Sequence, residues 1–228
     1  MATPIRHWRF SRRFYKFYRE QIARIGFEPQ WRIAESLGGR WSVVERVYRK
    51  GELVAARITL LQSLSDELAE ATAAHEIMHI VLDREGYPAA RGLGPAREVG
   101  VEFSSMILDP VVYQRLHESG FDTEMELEAQ LQEFLKSLEE VNEEPALNSP
   151  DRALCVIICA AKLLEYPPRL RLVLKDVLVT KLPSLAAEAT GLVRLVEQVG
   201  LDNPEKCRVA MQKARAHLGL EEDIVIRS

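Results

Sequence analysis

The chain has 228 residues, 47% of them hydrophobic and 28% charged, with a formal net charge of −4. That balance supports a buried core and argues against a disordered chain. The longest apolar run, ALCVIICAA, is too short to span a bilayer. Three cysteines without framework spacing, and no apolar stretch near the N-terminus, point to a reducing cytoplasm.

The charge is unevenly spread. Residues 1–32 hold eight Lys or Arg against two Glu, a net +6, so the remainder carries −10. Within that segment, RHWRFSRRFYKFYREQIARIGF predicts a helix, with Phe10, Phe14, Phe17 and Tyr18 at helical spacing. Its aromatic side is expected on the core with Arg outward. A basic, aromatic surface for nucleic acid is the weaker alternative.

RWSVVERVYRKGELVAARITLL then changes character. Val43, Val44, Val47, Tyr48, Val54, Ile58 and Thr59 favour strands and RKGE favours a turn, so two antiparallel strands are expected over 41–49 and 53–61. A helix follows over 65–84, with Ser65 as cap, Asp66 and Glu67 at its positive end and Gly86 past its end. YPAARGLGP reads as a loop, and a helix over 95–108 should stop before Pro110. Residues 122–143 predict an acidic helix capped by Thr123 and Glu126. Its stripe is Leu127, Leu131, Phe134, Leu138 and Val141. That stripe is expected to pack within the chain, with a coiled coil as the alternative. NEEPALNSPD reads as a linker. Three or four more helices follow, broken near YPP, KLP and LDNP.

Within the 65–84 helix lies His75-Glu76-Ile77-Met78-His79, an HExxH sequence. Residues i and i+4 of a helix stand one turn apart on one face. Two imidazoles so placed can each give a nitrogen to one Zn²⁺, and Glu76 can take a proton from a water activated there. A third ligand is expected from the following helix, where Glu98 and Glu102 share a face. The preferred arrangement puts Glu98 on the metal and Glu102 on the free N–H of a ligand histidine. The exchanged assignment, with Glu102 on the metal, stays open. His117 and Asp109 are next in line if neither serves.

The hairpin, HEIMH and then FSSMILDP, in that order, resemble the ImmA/IrrE group of bacterial zinc metallopeptidases over residues 41–110. The resemblance implies a gluzincin-type site with His75 and His79 as ligands and Glu76 as general base. It also implies cleavage of regulatory proteins, often repressors, in stress or mobile-element responses. Members usually carry Glu-x-Glu-Ala-(Asn or Asp) before the Phe. Aligned on Phe103, this chain has Arg97 in place of the first Glu and Val101 in place of the Asn or Asp. The resemblance therefore does not assign the third ligand.

The remaining chemistry-bearing residues read as structural. Cys155 and Cys159 lie among apolar neighbours and are expected to be buried thiols. His117 is expected at a helix end, with oxyanion stabilisation as its sharper alternative. Gly92 and Gly94 lack the Lys-Ser/Thr pair of a phosphate loop.

The expected fold is α+β. A small antiparallel sheet packs on the HExxH helix, followed by a mostly helical C-terminal half. Residues 1–120 are expected to form the metallopeptidase-like domain with its basic N-terminal helix, and 121–228 a helical domain. The expected function is zinc-dependent hydrolysis of a protein or peptide substrate, without membrane attachment. The alternative is a non-catalytic HExxH-fold binding module acting through its helical half or basic N-terminus.

Overall fold

In the computed structural model, residues 7–141, 144–145 and 150–227 are described. They divide into two units, Met1–Glu85 with Gln114–Glu126, and Gly86–Tyr113 with Leu127–Ser228. Most of the expected linker, residues 142–143 and 146–149, lies outside the described residues, as does the end of the helix expected over 122–143.

In the first unit, helix α1 (Arg12–Ile25) starts where the Ser11 hydroxyl accepts from the Phe14 amide. It ends at Gly26, whose φ of 85° is the left-handed value that glycine adopts freely. Its aromatic side faces inward as expected, with Phe14, Phe17 and Tyr18 buried. Strands β1 (Gln30–Ala34), β2 (Ser42–Arg49) and β3 (Glu52–Leu61) follow. The β2–β3 hairpin turns at Lys50 and Gly51, both at positive φ, as a two-residue hairpin requires.

The sheet order is β1-β3-β2, with β2 antiparallel and β1 parallel to β3. The sheet is thus mixed, not purely antiparallel. The extra strand QWRIA is five residues long and follows Pro29, too short to announce itself by alternation. Every second residue of β3, Ala56, Ile58 and Leu60, is buried. Helix α2 (Asp66–Arg84) packs on this sheet, capped by the Ser65 hydroxyl. Its Glu70 accepts from both the Ser11 amide and hydroxyl, at 2.5 and 2.7 Å, and so ties α1 to α2. Residues 114–126 join this unit through Phe121, which meets Phe17 edge-on at 4.9 Å under the Arg13 guanidinium.

In the second unit, β4 (Ala89–Gly92) pairs antiparallel with β5 (Ile224–Arg227). Both strands correct the sequence reading, which had a loop at the first and helix near the second. Helix α3 (Arg97–Glu118), whose first seventeen residues belong to this unit, continues through Pro110. Proline in a helix interior costs about 3 kcal/mol. Here Met106, Ile107, Val111, Val112 and Leu116 are all buried on either side of it, and that burial outweighs the lost hydrogen bond.

Gly92 and Gly100 explain how α3 starts. A Cβ on Gly100 would lie 2.0 Å from the Gly92 nitrogen, and one on Gly92 would lie 1.7 Å from the Ala96 carbonyl oxygen. Only two glycines permit this approach of strand and helix backbones. Helices α4 (Glu124–Glu139), α5 (Pro150–Glu165), α6 (Pro168–Lys181), α7 (Pro183–Val199) and α8 (Pro204–His217) complete the chain. Four of these begin on a proline, whose missing N–H costs nothing at that position. The expected breaks near YPP, KLP and LDNP fall at these starts. The fold is therefore α+β with a helical C-terminal half, as expected.

Candidate metal centre

The first half of α2 is small: Ala69, Ala71, Ala73 and Ala74 are buried and let the helix lie close to its neighbours. Its second half buries Ile77, Met78, Ile80, Val81 and Leu82. His75 and His79 occupy the only half-exposed positions between Ala69 and Leu82. Their placement follows from helical period alone.

The two rings turn their Nε2 atoms toward each other at 3.0 Å, with ring centroids 4.7 Å apart and planes at 68°. Two nitrogens on one tetrahedral zinc, each roughly 2.0–2.1 Å from the ion, stand about 3.3 Å apart. The pair therefore fits a shared cation after a small adjustment. The same separation suits one N–H···N bond between the rings. Burial pushes the His79 pKa down to about 4, the Glu76 carboxylate opposes the shift, and the Arg46 guanidinium adds to it. His79 is thus neutral at pH 7, which is the form that carries a lone pair for a metal.

Glu76 is buried on the adjacent side of α2, at 8% exposure. Its Oε1 accepts from the Ser42 hydroxyl at 2.5 Å. Arg46, two pleat repeats further along β2 on the same face, reaches Asp83 of α2 at 3.3 Å. Ser42 and Arg46 therefore belong to the surroundings of the histidines, and sequence reading singled out neither. Both come from β2, 29 to 37 residues before the histidines in sequence. A β-strand pattern does not reveal which side chain will meet which helix.

The expected third ligands sit on the N-terminal half of α3, in the second unit. Glu98 is exposed in its first turn and Glu102 is half-buried one turn later. Asp109, on the same helix, is buried at 9% exposure. His117 lies exposed in the last turn. Among the described residues no helix is long and apolar enough to cross a membrane. No protein-family model, curated protein or solved structure matches this chain.

Proposed function

We propose that this chain is a zinc-dependent metallopeptidase, of the ImmA/IrrE kind its motifs resemble, acting on a protein or peptide substrate. One observation carries the reading. Two histidine nitrogens converge at 3.0 Å on α2, and the residue between them in the motif, Glu76, holds a buried carboxylate beside them. His75 and His79 would hold zinc. We keep the third position for Glu98, with Glu102 as its alternative, because both share one face of the following helix.

Zinc bound there would polarise a substrate carbonyl and bring a water's pKa to about 7. The chain's own residues do the rest. His79 stays neutral and keeps its nitrogen available. Ser42 engages one oxygen of Glu76, and the other is left to take a proton from the attacking water. Glu76 can return that proton to the departing amine, so one group serves both halves of the hydrolysis.

The test is metal content of the full chain after exposure to zinc. One zinc per chain is expected, with loss in His75→Ala. Titration against a chelator should then show Glu98→Ala weakening zinc far more than Glu102→Ala. Glu102→Ala, if it orients a histidine, should cost about 10–100-fold. A zinc-replete wild type without metal would end the peptidase reading. The second reading, a binding module using its basic N-terminus, would then remain. It draws on the exposed Arg12, Lys16 and Arg19 of α1.

A further inference from the structure

We infer that Ser42 is a positioning residue for Glu76, fixing which carboxylate oxygen is offered as the base; this deepens the metallopeptidase reading and rests on it. Ser42 is the first residue of β2, and its register places it opposite Leu60 of β3. Leu60 is fully buried, and the Leu61 amide donates to the Trp41 carbonyl at 2.8 Å immediately before Ser42. The serine backbone is therefore anchored to the sheet. Its hydroxyl donates to Glu76 Oε1 at 2.5 Å, within the range of O–H···O⁻ bonds to an ionised acceptor.

A glutamate side chain has three rotatable bonds, and fixing its far end requires a partner. Ser42 supplies that partner from a different element. Glu76 directly follows His75, so a carboxylate left loose there could turn toward the ion and compete with water for it. With Oε1 engaged, Glu76 is held as a base and kept from becoming a ligand. This role differs from a packing bond, because its loss should alter the chemistry at the metal while leaving the fold intact.

A chelating acid gives a probe that does not depend on knowing the peptide. Acetohydroxamic acid loses a proton when it binds a metal, and Glu76 is the carboxylate placed to receive it. Its affinity for the zinc-loaded full chain, measured by calorimetry, reads the placement of that group. Ser42→Ala should bind the probe about tenfold more weakly, with zinc content and thermal midpoint unchanged. Ser42→Thr, which keeps the hydroxyl, should restore the wild-type affinity. In a Glu76→Gln background, Ser42→Ala should add no further loss, since the two residues act as one unit.

Equal affinities for wild type and Ser42→Ala would overturn the inference. So would a loss in Ser42→Ala that merely tracks loss of zinc or of thermal stability, or a Ser42→Thr variant as weak as Ser42→Ala. A zinc-loaded wild type that does not bind the probe would remove an open metal position, and with it both the metallopeptidase reading and the role of Ser42.

Discussion

Cys155 and Cys159 lie on one face of α5, and the structure leaves both as free thiols. Cys159 is buried, and burial pushes its thiol pKa up to about 12. A neutral thiol is therefore favoured by the fold over a thiolate. The stability this contributes is complete below the unfolded thiol's pKa of about 8.5 and declines as pH rises toward 12. Iodoacetamide at pH 8 should accordingly leave Cys159 unmodified in the native protein and modify it in denaturant, as peptide mass analysis can check. Alkylation of Cys159 at the same rate in both states would show that the site opens freely. For Glu76, replacement by Gln keeps shape and removes the charge that takes a proton. Glu76→Gln should retain zinc by elemental analysis and lose at least about 100-fold in hydrolysis of any substrate the wild type cleaves. Loss of the metal would make Glu76 a ligand instead. At this scale the sequence was informative where chemistry is local. HEIMH places two rings on one face through i and i+4 spacing alone. The Ser42–Glu76 bond spans 34 positions, and no local pattern encodes it.

Helix α3 concentrates what the elements add. Glu98, Glu102 and Asp109 fall within about 40° of one another around its axis, because steps of four and eleven residues nearly complete whole turns. Glu98 and Asp109 are nonetheless roughly 16 Å apart along that axis, at 1.5 Å per residue. One ion cannot touch both, so a metal held by Glu98 leaves Asp109 out of reach. The sequence placed this helix correctly at its start and ended it ten residues early, because the proline rule takes no account of the buried stripe on both sides of Pro110. Strands β4 and β5 were invisible for a related reason. Each is four residues long, and its pairing partner lies more than 130 positions away. The same region offers a sharp test of packing. Gly100→Ala drives a methyl into the backbone of Gly92, and backbone cannot give way as a flexible side chain would. A loss of at least about 2 kcal/mol is expected in urea unfolding. A neutral outcome would mean that β4 and α3 can separate there without cost.

For the molecule as a whole, the two units are not successive in the chain. The first takes Met1–Glu85 and returns for Gln114–Glu126, while the second takes Gly86–Tyr113 and everything after Glu126. A sequence boundary near 120 marks a change of composition, and composition cannot report that a chain leaves a unit and re-enters it. No single cut separates the two. A fragment of residues 127–228 keeps β5 but lacks β4 and the seventeen residues of α3 that belong to its unit. It should show weaker helical circular dichroism per residue than the full chain and a broad thermal transition in place of a cooperative one. A fragment that melts sharply would show that α4 to α8 suffice by themselves.

The pairing of residues 89–92 with residues 224–227 also sets an order in time. During synthesis the first unit has all its parts once Glu126 has been made. The second must wait for about a hundred more residues, roughly 5–20 s at ordinary rates of elongation. Through that interval β4 exists as a strand without its neighbour, tethered to a unit that is already complete. The histidine pair and Ser42, all made before residue 80, can thus be in place well before the second unit has found its own fold.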